Sequence, residues 1–318
     1  MHRQFFGLSQ EPFSLNPDPK FLYLARSHIE AFSSMVAGIK ERKGVIVITG
    51  EPGVGKTLLI YALLKDLTDK VKTAFIFTPT LGFQSILENI LSNLDIRLDG
   101  REKNLNSLLA RFRKYLKERL ACGETVAVVI DEAQSLDIGT LDSLLRFSAS
   151  EVPSAKMLQI LLVGHLGLEE KLNSGKLRFY REKIRVKCRI RPFTREEGKG
   201  YVKYRLKLAG RDVSEIFTSD AVTQVWEFSM GIPRVMNLLC DRALLIGCMD
   251  SSPLIDSKII REAIKDLDDL RSNGRRTFLG QFFRKTFWSK LRRILFLIFS
   301  ICVFSFSLHL LIPLLFRK

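Results

Sequence analysis

Lys43–Thr57 reads KGVIVITGEPGVGKT. Its first half is a short β-branched run of the kind that occupies a strand buried on both faces. Its second half, Gly50-Glu51-Pro52-Gly53-Val54-Gly55-Lys56-Thr57, has the spacing G-x-x-x-x-G-K-[ST], and Leu58, Leu59, Ala62 and Leu63 follow with helical period. A strand before and a helix after are the context this motif requires. The glycines let backbone N–H groups wrap a phosphate, and the helix N-terminus adds the positive end of its dipole. Lys56 is placed to reach the β- and γ-phosphates of ATP, and the Thr57 hydroxyl to ligate Mg²⁺.

A second β-rich run, Thr125–Ile130 (TVAVVI), ends in Asp131-Glu132. At the carboxyl end of a buried strand, Asp131 suits support of Mg²⁺ through its water shell. Glu132 suits polarisation of the attacking water. The bland alternative is that the two acids cap the following helix. A strand at Val71–Thr78 and helical stretches at Leu81–Leu94 and Leu105–Leu120 intervene. The acidic strand is therefore expected to be separated from the phosphate-loop strand by another. A third run, Met157–Gly164 (MLQILLVG), stops at His165, which either senses a γ-phosphate or is an ordinary structural histidine. Ile184–Ile190 is a further strand, followed by Pro192 and a helix from Thr194. The alternation predicts an α/β fold, a doubly wound parallel sheet covered by helices.

From Thr194 to Leu270 the periodicity is helical, through Tyr201–Leu208, Ala221–Phe228, Val235–Met249 and Ser257–Leu267. A small C-terminal helical lid over the nucleotide is the economical reading. Gly231-Ile232-Pro233-Arg234 sets Arg234 at a helix start, where it either reaches back to the γ-phosphate or forms a surface ion pair. The expected organisation is a segment 1–40 packed on the core, a nucleotide-binding domain 41–193, the lid 194–270, a basic linker 271–293 and an apolar run 294–316.

That last run, Ile294–Phe316, has 23 residues without Asp, Glu, Lys or Arg. At about 1.5 Å per residue it spans a hydrocarbon core of ~30 Å as a helix. Arg284, Lys285, Lys290, Arg292 and Arg293 precede it and only Arg317 and Lys318 follow, an asymmetry that keeps the N-terminal body in the cytoplasm. The expected arrangement is thus a single-pass C-terminal membrane anchor, with lipid as a partner. The chain carries 50 Lys and Arg against 34 Asp and Glu, net +16. Ten of those cations fall between Arg271 and Lys318, where no acid stands, leaving +6 for residues 1–270. So small a surplus counts against a nucleic-acid-binding body. Five widely spaced cysteines, without a CxxC pair, fit neither a zinc site nor a disulfide scaffold.

Several segments together resemble the ExeA/GspA-like AAA+ ATPases of general secretion and of related pilus and exopolysaccharide systems. They are FFGL at Phe5–Leu8, EPF at Glu11–Phe13, NPDPKFLY at Asn16–Tyr23, SHIEA at Ser27–Ala31, the phosphate loop, IDEAQ at Ile130–Gln134, LLVG at Leu161–Gly164 and GIPRVMNLLCDRAL at Gly231–Leu244. The resemblance implies an ASCE-type P-loop AAA+ module with Asp131-Glu132 as Walker B and Arg234 as sensor 2. It also implies ATP hydrolysis within a homo-oligomer acting on protein components of an envelope assembly. Three positions depart from the pattern or leave it open. His165 stands where the family usually has Gln, and Lys183 stands where it has a candidate trans-acting Arg, a role open to Arg178 or Arg181. The chain also ends two residues past the apolar run, where secretion members carry a further domain.

Overall fold

The computed structural model describes residues 2–77, 82–97, 104–149 and 156–272. The apolar run 294–316 and nearly all of the basic linker lie outside them. Among the described residues no helix is long and apolar enough to cross a membrane. Met1–Arg261 form one compact unit and residues from Glu262 onward a second, whose described part is the end of a helix.

In chain order the helices are α1 (His2–Phe5), α2 (Arg26–Lys40), α3 (Lys56–Asp66), α4 (Phe83–Asn93), α5 (Leu105–Ala121), α6 (Ile138–Ala149), α7 (Gly167–Leu172), α8 (Arg195–Leu208), α9 (Val213–Ile216), α10 (Ser219–Ser229), α11 (Pro233–Met249) and α12 (Ser257–Ser272). The strands are β1 (Val45–Gly50), β2 (Val71–Ile76), β3 (Thr125–Ile130), β4 (Leu158–Gly164) and β5 (Ile184–Ile190). They form one sheet in the order β2-β3-β4-β1-β5, and every pairing is parallel. The strand inserted between the phosphate-loop strand β1 and the acidic strand β3 is β4.

Every residue of β1, β3 and β4 is buried, which is why these runs read as unbroken Val, Ile and Leu. Alternate residues feed two cores. Val45, Val47, Val126, Val128, Ile160 and Leu162 pack with α4, α5 and α6 on one face. Ile46, Ile48, Ala127, Val129, Leu161 and Val163 pack with α2 and α3 on the other. β5 is an edge strand, and its sequence IRVKCRI alternates accordingly, with Arg185, Lys187 and Arg189 exposed. Charges on an edge strand blunt pairing with foreign chains.

After β5 the chain enters α8 through a capping box. The Thr194 hydroxyl accepts the Glu197 N–H at 3.3 Å, and the Glu197 carboxylate accepts the Thr194 N–H at 2.9 Å. The expected helix start at Thr194 is therefore where the chain puts it. The N-terminal segment serves both halves of this unit. Phe13, fully buried, meets the Phe217 ring edge-on, and Gln10 donates to the Leu208 carbonyl. Further along, α2 lies against β5 and α3.

Candidate nucleotide-binding site

Parallel topology brings the carboxyl ends of β1, β3 and β4 to one edge of the sheet, and the candidate residues gather there. Residues 50–55 turn from β1 into α3, with Gly53 at φ +84° and Gly55 at φ +98°. These are left-handed conformations that cost other residues about 1 kcal/mol or more. Lys56 Nζ curls back to the carbonyls of Gly50 and Glu51, each at 3.1 Å.

From β3, two places along the sheet, Asp131 reaches the same point. Its Oδ2 accepts the Thr57 hydroxyl at 2.6 Å and its Oδ1 accepts the Glu132 N–H at 2.9 Å. The two acids are therefore not helix caps. The first turn of α6 is capped instead by Asp137, which accepts from the Thr140 N–H at 2.9 Å.

The electrostatics follow from burial. Desolvation pushes the Lys56 ammonium below the ordinary lysine value, against Glu132, Asp131 and Glu51, which pull it up. Desolvation also pushes Asp131 above the ordinary carboxylate value, against the Thr57 hydroxyl and the Glu132 N–H. For each group burial outweighs the attractions at hand, so a further anion beside Lys56 and a cation beside Asp131 would favour the ionised forms. A triphosphate beside Lys56 and a magnesium ion beside Thr57 and Asp131 would supply both, so the residues fit these ligands. Among the described residues no cluster of three or more His, Cys, Asp or Glu side chains could hold a metal by itself.

Glu132 is adjacent, in the left-handed region at φ 50°, and its carboxylate accepts from the Gln134 amide. His165 ends β4, with its N–H bonded to Gln134 Oε1 at 3.0 Å and its Nδ1 accepting the Gly167 N–H at 2.9 Å. The ring is thereby engaged in starting α7. Arg234 approaches from α11, and its backbone N–H donates to the Gly53 carbonyl at 3.2 Å. A β-carbon on Gly53 would lie 2.9 Å from the Arg234 β-carbon, so this approach needs glycine. Arg181 lines a cleft of about 310 Å³ together with Thr49, Glu169, Asn173, Lys187 and Arg189. Lys183 lies over the rings of Phe179 and Tyr180, and Arg178 is exposed.

Two features escaped the sequence reading. The first is His28, buried in the first turn of α2, whose Nε2 bonds the Val54 carbonyl at 2.8 Å. Burial pulls its pKa down, opposed by that bond and by Glu197. Its neighbours fasten the same turn elsewhere, for the Arg26 N–H donates to Glu197 Oε1 at 3.1 Å and Ser27 Oγ bonds the Arg191 backbone. A lone histidine has no partner spacing to reveal this. The second is a strip of cations. Lys176, Arg178, Arg181, Lys183, Arg185, Lys187, Arg189 and Arg191 are all exposed, with only Glu182 opposing them. A signal existed, since these 16 residues carry +7, more than the +6 of residues 1–270 together.

Comparison with known proteins agrees with this geometry. Residues 39–172 match the AAA domain family. The chain is 34% identical over 274 residues to general secretion pathway protein A of Aeromonas hydrophila, across 86% of this chain and 50% of that protein, so it spans about half of that relative's length. It is 25% identical over 314 residues to an uncharacterized HTH-type transcriptional regulator of Methanocaldococcus jannaschii, across 84% of this chain and 74% of the relative. Among solved structures it resembles Cdc6p from Pyrobaculum aerophilum, with TM-score 0.64, 18% identity, and coverage of 80% of this chain and 70% of that one. It also resembles the Aeropyrum pernix ORC2 protein, with TM-score 0.61, 17% identity, and coverage of 81% and 71%. These structural likenesses show the fold alone. With the loop, the acidic strand and the C-terminal helices in this arrangement, the chain is a GspA-like AAA domain protein.

Proposed function

We propose that this protein is a membrane-anchored ATPase that binds and hydrolyses Mg·ATP to drive assembly or remodelling of a cell-envelope secretion, pilus or polysaccharide-export system. The observation that carries the hydrolytic part is the 2.6 Å bond from Thr57 to Asp131, joining two elements 74 residues apart. It supports a magnesium site directly beside the carboxylate of Glu132. The backbone N–H groups of residues 53–57 and the Lys56 ammonium would bind the β- and γ-phosphates, and Thr57 and Asp131 would hold the metal. Magnesium, when bound, neutralises charge building on the transferred phosphoryl group. Glu132 orients the attacking water and takes its proton. Arg234 reaches the γ-phosphate and couples the helices 194–270, acting as a lid, to nucleotide state. His165 is the candidate γ-phosphate sensor at the end of β4. Arg178, Arg181 or Lys183 would complete a neighbouring site in a homo-oligomer. Residues 294–316 anchor the chain in the inner membrane, with the ATPase in the cytoplasm.

Glu132→Gln should retain ATP binding and lose about 10²- to 10⁴-fold in turnover, measured as phosphate release by the full chain in vesicles. Unchanged turnover refutes the hydrolytic role. A second reading, a DNA-binding AAA+ ATPase of the transposition or replication-initiator kind, is favoured by the cation strip 176–191. It requires DNA affinity that falls steeply with salt, and its absence at low salt removes that reading.

A further inference from the structure

Gln134 has no role assigned above, yet its side chain sits between two of the strand ends that build the site. Nε2 donates to Glu132 Oε2, and Oε1 accepts the backbone N–H of His165 at 3.0 Å. The amide orientation is fixed by its partners, because only the oxygen can take the His165 N–H and only the nitrogen can donate to a carboxylate. The backbone of Gln134 is held as well, its carbonyl accepting from Lys171 Nζ, which also bonds the Leu136 carbonyl at 2.8 Å. The space it occupies is reserved. A β-carbon on Gly164 would fall 2.6 Å from Gln134 Oε1, so a larger residue at the end of β4 would push the Gln134 amide from its place. Glu132 itself is left-handed, at φ 50°, a strained backbone for a non-glycine residue that persists only where its surroundings over-determine it.

We propose that Gln134 is a positioning residue that sets the orientation of the Glu132 carboxylate from the end of β4. Tethering Oε2 leaves Oε1 to accept the proton of the attacking water, and a tether anchored on the His165 N–H makes the base's position depend on residues 164–165. Movement of that strand end on nucleotide binding is thereby transmitted to the base. This rests on the reading of Glu132 as the base.

The test is a double-mutant cycle on the full chain in vesicles. Gln134→Glu keeps the size and the acceptor for His165 but places a carboxylate against Glu132, and Gln134→Ala removes both contacts. Each should lower kcat about 10- to 100-fold with the Kd for ATP unchanged within about twofold. On a Glu132→Gln background, Gln134→Ala should cost nothing more, since residues acting as a unit are not additive. Thermal melts identify a variant that fails to fold, in which case the other one decides. Wild-type kcat in a folded Gln134 variant, while Glu132→Gln is slow, overturns the proposal and leaves the hydrolytic reading standing. A further loss in the double variant equally overturns it. Full turnover in Glu132→Gln alone refutes the base assignment itself.

Discussion

The two sides of the phosphate loop are fastened by different kinds of bond. On the side of the strand ends, side chains meet side chains: Thr57 with Asp131, and Gln134 with Glu132. On the side of α2, α8 and α11, the fastenings run to the main chain. There the Arg234 N–H meets Gly53, His28 meets Val54, and the Arg26 N–H meets Glu197. The first side holds ionisable groups where burial makes charge costly. The second holds the loop's backbone in place through bonds to main-chain groups. The difference teaches where each kind of damage should register, in ligand binding and chemistry on one side and in stability on the other.

The largest effect is expected on the charged side. Lys56→Ala removes the ammonium on which a triphosphate would rest, a loss of about 2–5 kcal/mol. ATP affinity measured by calorimetry should fall about 30-fold or more, while the thermal midpoint of the free protein stays level or rises, because burial disfavours that charge. Unchanged affinity would break the comparison at its first term.

The opposite pattern is expected from Glu197→Ala. This carboxylate accepts the backbone N–H groups of both Arg26 and Thr194, and removing it undoes a capping box. About 1–2 kcal/mol of stability should go, read as a fall of roughly 2–8 °C in the thermal midpoint. ATP affinity should stay within about threefold of wild type. An unaltered midpoint with weakened affinity would assign Glu197 to the ligand side instead.

How much of this was legible follows from which bonds are local. The phosphate loop, Asp131 and the strands β1, β3 and β4 declare themselves by spacing and by unbroken apolar runs, because a strand buried on both faces tolerates little else. That one strand lies between β1 and β3 was also expected. That it is β4, bringing the His165 N–H beside Gln134, follows only from the sheet order. The Glu132–Gln134 pair was printed in IDEAQ, but nothing in that string says that the amide points at the acid. His28 stood in SHIEA without a partner, since Val54 meets it only after α2 packs under the loop. The cation strip was hidden by averaging, because the net +6 describes a body whose positive charge is concentrated in residues 176–191.

His28 sharpens the comparison through pH. The fold holds its pKa below the 6.5 of an exposed imidazole, so the unfolded chain takes up the proton first. The stability supplied by the neutral ring is complete above about pH 6.5 and is lost as pH falls below it. His28→Gln offers an amide N–H to the Val54 carbonyl and has no such titration. Its stability by urea unfolding should therefore vary less than wild type's between about pH 6.5 and 5. An identical acid loss in both proteins would mean that the ring does not titrate on unfolding. Carboxylates common to the two proteins cancel in this difference.

The smallest effect tests whether charge alone places a residue on the first side. Glu51 stands inside the loop, and its carboxylate lies 3.8 Å from Arg189, the two side chains being 34% and 52% exposed. An ion pair so open to water contributes about 0–1 kcal/mol. Glu51 is also the third of the acids that raise the Lys56 pKa, after Glu132 and Asp131. Glu51→Gln should therefore shift neither the thermal midpoint beyond about 2 °C nor ATP affinity beyond about threefold. A rise in affinity within that limit fits the removal of a negative charge from the path of an anionic ligand. A fall of tenfold or more would show that position in the loop, rather than burial, decides which charges the nucleotide uses.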